Sequence, residues 1–173
     1  MTDNKKSSPS GGRKSAGKTT TEKIISLNRQ AGFQYHIEKK IEVGIVLTGS
    51  EVKSCREGRV QLVDSYAGFE RGEVFLYKIH IAEYKQSGPH FNHEPARKRK
   101  LLLHKREIKN LGALVEQQGY TLVPLKFYFK AGKVKVEIGL CKGKTKGDKR
   151  ESIKNRETNR DLQAQNRRSQ RHR

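Results

Sequence analysis

The chain has 173 residues and a formal net charge of +20, with 38 Lys and Arg against 18 Asp and Glu. That length suits one domain with tails, and that charge points to a polyanionic partner, RNA or DNA before any other. The two cysteines, Cys55 and Cys141, make neither a disulfide framework nor a zinc finger and are read as reduced thiols of a cytoplasmic protein, and no stretch approaches the ~20 apolar residues of a membrane span.

Residues 1–22 are rich in Ser, Gly, Thr and Lys, contain Pro9 and lack an apolar run. They read as a disordered basic arm, not a signal peptide. Residues 23–141 form the folded unit, long enough for a core of its own. Residues 33–47 set Tyr35, Ile37, Ile41, Val43 and Ile45 against polar Gln34, His36, Glu38, Lys40 and Glu42. This period of two predicts a strand, or two strands broken near Gly44. Residues 49–57 read as one or two helical turns with Ser50 as N-cap. Residues 60–69 and 74–81 predict a hairpin around Glu70-Arg71-Gly72-Glu73. Gly88-Pro89 and Glu94-Pro95 mark a loop. A helix over 101–118 places Ile108, Leu111, Leu114 and Val115 on one face and Gly119 at the C-cap. Residues 120–129 and 134–140 make a second hairpin around Lys130-Ala131-Gly132-Lys133. About six strands, one main helix and no βαβ repeat predict a mainly β fold, a small antiparallel barrel or sandwich with helices at its ends.

Residues 142–173 hold 12 basic and 4 acidic side chains, and their only large aliphatic residues are Ile153 and Leu162. Such a tail cannot bury enough apolar surface to offset the entropy of ordering. It is expected to be disordered alone and to order, as a helix, once phosphates screen its self-repulsion.

Motifs for catalysis are scarce. There is no phosphate-binding glycine loop and no serine elbow. His90 and His93 lie near Asn92, but two histidines without a third ligand are read as exposed loop residues, so no metal and no cofactor are expected. Cys55 and Cys141 read as small buried thiols. Basic clusters are the stronger signal. Arg97-Lys98-Arg99-Lys100 precedes the long helix, with Lys105 and Arg106 beyond it, and offers mobile cations and planar guanidinia for phosphates. Tyr35, Tyr66, Tyr77, Phe127, Tyr128 and Phe129 are candidates for base stacking or for the core. Glu42 and Glu51 are surface or capping carboxylates, contacts to base or ribose donors, or braces for a nearby Arg. Roughly six phosphate contacts would give a log affinity against log salt slope of about −4 to −5.

Several strings together resemble one family. They are Asn28-Arg29-Gln30-Ala31 followed by Tyr35, then Ile41 to Ser54, which includes Glu42, Gly49-Ser50-Glu51-Val52 and Lys53-Ser54. Asp64-Ser65-Tyr66, Arg97-Lys98-Arg99-Lys100-Leu101-Leu102-Leu103, Gly119-Tyr120-Thr121, Lys142-Gly143-Lys144 and Asp148-Lys149-Arg150 complete the set. The chain resembles the bacterial SsrA-binding protein family, small protein B, over about 24 to 157. The resemblance implies an OB-like antiparallel barrel of about six strands with two or three helices. It also implies a non-enzymatic factor of trans-translation that binds the tRNA-like domain of tmRNA and brings it to stalled ribosomes. Implied tmRNA-binding residues are Asn28, Arg29, Tyr35, Glu42, Glu51, Lys53, Ser54, Arg97, Arg99, Lys100, Leu102 and His104, the last standing where relatives often have Asn. Implied tail residues for the small-subunit decoding centre and empty message channel are Lys142, Gly143 (as hinge), Lys144, Asp148, Lys149 and Arg150. Alanyl-tRNA synthetase and elongation factor Tu are implied indirectly, through tmRNA. Gly147, Thr158 and Gln165 depart from stacking or apolar residues seen in some relatives. Two other readings fit a basic, tailed chain: a structural ribosomal protein or RNA chaperone, and a nuclease or RNA-modifying enzyme. The last lacks the paired carboxylates or histidines it would need.

Overall fold

The structure is a computed structural model that describes residues 22–88 and 92–171. The expected N-terminal arm therefore lies outside the described residues apart from Glu22, as does His90. In chain order the elements are β1 (Lys23–Leu27), α1 (Ala31–Gln34), β2 (Tyr35–Ile45), α2 (Gly49–Arg56), β3 (Val60–Gln61), β4 (Tyr66–Glu70) and β5 (Glu73–Tyr77). They continue with β6 (His80–Ile81), β7 (Arg99–Leu102), α3 (Lys105–Gln118), β8 (Thr121–Lys130), β9 (Lys133–Gly143) and α4 (Lys146–Arg171).

Six strands close into an antiparallel barrel in the order β8-β4-β5-β7-β2-β9, with β9 returning to β8. The ring shuts at Ala67↔Leu122, and β1 extends the sheet along the far half of β8. Both long hairpins turn through two residues at positive φ, Arg71-Gly72 and Ala131-Gly132. That is the turn whose twist matches paired strands. Inside the ring Val43, Val74, Leu76, Leu101, Leu122, Phe127, Val136 and Ile138 fill the core, with Leu111 of α3 packed on the same cluster.

Two β-bulges build a second, smaller core on the outside. The register of β2 slips between Ile37 and Lys39, and that of β8 between Pro124 and Lys126. Each extra residue reverses which face the following side chains meet. Ile37, Val123 and Leu125 thus leave the barrel interior and pack with Ala31, Tyr35 and Cys141 beneath α1. Gly139 makes room for this. A Cβ there would stand 2.9 Å from both Leu125 Cδ1 and Cys141 Sγ.

Several expected boundaries move. The long helix begins at Lys105, not 101, because Leu101 and Leu102 pair with β5 and β2 as strand. The helix starts only where the Glu107 carboxylate accepts the His104 backbone N–H at 2.9 Å. Thr48, not Ser50, caps α2, with its N–H donated to Glu51 Oε2 at 2.7 Å. Residues 60–69 and 74–81 each break in two, at Asp64 and Lys78, both left-handed at φ 57° and 55°. Gly44 does not break β2, and the single turn α1 and the strand β1 have no counterpart among the expected elements.

Candidate RNA interface

A cleft of about 720 Å³ opens where the end of β2, α2, the β7–α3 junction and the β8–β9 turn meet. Glu42, Leu102 and His104 all line it, so three of the sequence-derived candidates converge from distant parts of the chain. Leu102 is 53% exposed although Leu101 beside it is buried. Strand alternation leaves it outside. It lies over Gly44, where a Cβ would come 3.2 Å from Leu102 Cβ. Glu42 Oε2 accepts hydrogen bonds from the Tyr128 hydroxyl at 2.6 Å and Lys130 Nζ at 2.7 Å. These bonds, that from Lys130 first, hold the Glu42 carboxyl below the usual carboxylate range. Both fall on Oε2, which leaves Oε1 as an acceptor for a partner's N–H or O–H. Lys133 and Lys135 of β9 add positive charge to the same cleft. The chemistry on offer is an ionised acceptor, an apolar surface and cations, suited to a nucleotide's donors, ring face and phosphate in turn.

A second group of candidates lies in the interior. Glu51 and Arg99 have no exposed side-chain area. Glu51 Oε1 accepts from Arg97 Nε at 2.8 Å and Arg99 Nε at 2.9 Å, and Oε2 from Arg97 Nη2 at 2.6 Å. Arg99 also donates to the carbonyls of Ile79 and Arg97, both at 2.9 Å, and of Pro95 at 3.0 Å. Burial alone would raise the Glu51 pKa, but hydrogen bonds from Arg97 and Thr48 and the charges of both arginines outweigh it and hold it low. One carboxylate thereby ties α2 to β7 and to the loop before it. Ser54 is also fully buried. Glu51, Ser54 and Arg99, expected among the RNA contacts, therefore face inward in this structure, and the geometry of Glu51 is that of a brace for Arg97 and Arg99.

The rest of the basic cluster is paired rather than free. Arg97 is held by Glu51, Lys98 by Glu70 at 2.7 Å and Lys100 by Glu73. Lys53 is exposed on α2, 5.3 Å above the Tyr84 ring. His93, expected to be an exposed loop histidine, is buried, with Nδ1 3.0 Å from Ser50 Oγ and Nε2 3.0 Å from the Ile81 carbonyl. Among the described residues no three His, Cys, Asp or Glu gather as a metal site. Burial pushes the Cys55 thiol up to about 12 and Cys141 to about 11.

Asn28, Arg29 and Tyr35 sit elsewhere. Asn28 donates to the Pro124 carbonyl at 3.1 Å and accepts the Ala31 N–H at 3.1 Å, which seats α1 on β8. Asn28 and Tyr35 line a separate pocket of about 250 Å³ with Tyr66, and Arg29 is exposed beside it. The tail candidates form a third group. Lys142 and Gly143 end β9, paired with His36 and Tyr35, so Gly143 belongs to a strand. Lys144 joins the body to α4, and Asp148, Lys149 and Arg150 fall in its first turns. Gly147 and Thr158 are in α4, where the Thr158 hydroxyl donates to the Lys154 carbonyl at 2.9 Å; the Gln165 side chain lies outside the described ones. Lys130 and Gly44 carried no signal in the sequence, because Lys130 reaches Glu42 only through the β2–β9 and β8–β9 pairing and Gly44 meets Leu102 only through β2–β7; Tyr128, a stacking or core candidate by sequence, is buried and donates to Glu42.

The sequence profile of the SmpB protein family matches residues 25–168. The chain belongs to the SmpB family. Its relatives include an SsrA-binding protein of Roseiflexus castenholzii, 53% identical over 141 residues, 82% of this chain and 89% of that one. The SsrA-binding protein of Trichodesmium erythraeum is 56% identical over 142 residues, 82% of this chain and 91% of that one. A solved chain from a study of tmRNA-SmpB and its journey to the center of the bacterial ribosome is similar with TM-score 0.59 and 47% identity. It covers 74% of this chain and 93% of its own.

Proposed function

We propose that this chain is a non-enzymatic RNA-binding factor of the bacterial cytoplasm. Its barrel binds the tRNA-like domain of tmRNA and delivers it to stalled ribosomes for rescue and peptide tagging. The observation that carries the reading is the cleft that gathers Glu42, Leu102 and His104 in a chain of SmpB lineage. Glu42 accepts from base or ribose donors, Leu102 packs on a sugar or base, and His104, in place of the frequent Asn, supplies a ring nitrogen. Tyr35, Arg29 and Lys53 belong to separate surfaces and serve as additional contacts. Glu51 and Arg99 act from inside, by fixing α2 and β7, and Ser54 is buried within α2. The tail, from Lys142 through Gly143, Lys144, Asp148, Lys149 and Arg150, enters the empty message channel at the small-subunit decoding centre. Alanyl-tRNA synthetase and elongation factor Tu meet the protein through tmRNA alone.

Recovery of bound RNA from cells, followed by sequencing, tests this. One dominant structured RNA of tmRNA type is expected. Stoichiometric ribosomal RNA without tmRNA would replace the reading with that of a structural ribosomal protein.

A further inference from the structure

The pocket of about 250 Å³ shared by Asn28, Tyr35 and Tyr66 lies at the seam where the ring shuts, beside the one β4–β8 pair, Ala67↔Leu122. Its walls are held from within. Asn28 spends its side chain on the Leu62 and Pro124 carbonyls, at 3.4 and 3.1 Å, and on the Ala31 N–H. The buried Ser65 hydroxyl donates to the same Leu62 carbonyl at 2.6 Å. That bond closes a turn with Asp64 at its tip, left-handed at φ 57°, a conformation that Asp and Asn tolerate better than most residues. One face of the pocket is aromatic. Tyr66 stacks on its cross-strand partner Tyr77, with ring centroids 5.3 Å apart and planes 16° from parallel. Tyr77 is itself fixed, since its hydroxyl donates to Glu70 at 2.9 Å. Gly68 leaves it the room to lie there: a Cβ would stand 3.2 Å from Tyr77 Cε2. Tyr66 is thus a rigid ring that remains 41% exposed.

The charge of this pocket is opposite to that of the chain. In a protein of net charge +20 its lining holds no Lys or Arg and one carboxylate, Asp64. Asp64 is exposed, and among the described residues no cation pairs with it. A phosphate would be repelled there. A planar group with N–H donors on its edge is what such a lining takes, with its face on Tyr66. Of the four RNA bases, guanine alone carries two adjacent donors on its pairing edge, N1–H and N2–H, and a carboxylate accepts both. The Gln34 carboxamide can donate to its O6, and Arg29, exposed between Asn28 and Gln30 of the lining, is placed for the flanking phosphate.

We propose that this pocket is a subsite for one unpaired guanine of an RNA, stacked on Tyr66 and read by Asp64. It is separate from the cleft of Glu42, Leu102 and His104. The inference rests on the reading of the chain as an RNA-binding factor, but its first readout does not need tmRNA.

The test is fluorescence anisotropy of the full chain with labelled five-nucleotide RNAs, UUGUU, UUAUU, UUCUU and UUUUU, near physiological salt. The parent should bind the guanine RNA about tenfold tighter than the others, the usual weight of a bidentate base contact. Asp64→Asn keeps the left-handed turn but sets a donor beside an acceptor. It should lose the guanine preference and favour adenine, whose pairing edge matches a carboxamide. Tyr66→Ala should weaken all four RNAs about tenfold without changing their order, because stacking is tolerant of sequence. Equal binding of the four RNAs by the parent would overturn the inference, as would an Asp64→Asn variant that keeps the full guanine preference. The same variant locates the guanine. Lost affinity for tmRNA assigns it to that RNA, and lost tagging with tmRNA affinity kept assigns it to the ribosome. A variant unchanged in both would overturn the inference too. A parent that prefers guanine but does not bind tmRNA would sink the functional reading instead and leave the subsite standing.

Discussion

Replacing Glu51 by Gln tests the interior brace. The carboxylate accepts from Thr48 N at 2.7 Å, from Arg97 at 2.6 and 2.8 Å and from Arg99 at 2.9 Å. Each oxygen takes two N–H groups, so either orientation of a carboxamide sets its NH2 against two donors. Two arginines also lose their counter-charge, and Arg99 has no exposed surface from which water could replace it. Removing one partner of a buried pair costs about 3–5 kcal/mol. For a barrel of this size that lowers the thermal midpoint by about 10–20 °C. Circular dichroism melts at neutral pH measure it. The Glu51→Met, Arg99→Met double variant should recover much of the loss, because the desolvation penalty leaves with the charges. A single variant within about 1 kcal/mol of the parent would refute the reasoning. The pH dependence has a definite sign. A carboxyl held low in the folded state stabilises fully above its unfolded pKa of about 4.3, and that stability is lost as pH falls through the folded value. Glu51→Gln should therefore show a flatter acid limb than the parent.

Leu102→Ser should leave the melting temperature nearly unchanged, since the side chain is 53% exposed, and weaken binding of a tRNA-like RNA fragment about tenfold by filter binding. Glu42→Gln should weaken the same binding while the effect of the substitution fades in acid, where the parent carboxylate also becomes neutral, at a pH below the usual carboxylate range. Gly139→Ala should destabilise the barrel by about 1–3 kcal/mol in urea titrations, and Leu125→Ala should partly relieve it, because the added Cβ meets Leu125 at 2.9 Å.

What the sequence made legible follows from range. Both hairpins announced themselves through local alternation and through turn glycines that tolerate positive φ, Gly72 and Gly132. The C-cap at Gly119 is likewise local, with φ 65°. The start of α3 was not local: a Leu run continues a helical pattern as readily as it begins a strand, and only pairing with β5 and β2 decides. The bulges at residues 37–39 and 124–126 leave no mark in composition, so the second core beneath α1 was invisible. Glu42, Leu102 and His104 were singled out by resemblance, and folding brings them to one cleft. The basic run at residues 97–100 looks different in the fold for a physical reason. Its partners Glu51, Glu70 and Glu73 lie 25 or more residues away in sequence, so a charge count sees free cations where the fold makes ion pairs.

The division of labour between barrel and tail is the central claim, and a chain ending at Lys144 tests it most directly. Its affinity for the tRNA-like domain of tmRNA should stay close to that of the whole chain near physiological salt, where distant tail charges are screened. Tagging of peptides on stalled ribosomes should be abolished. Loss of most tmRNA affinity with the tail, or tagging that persists without it, would contradict the account.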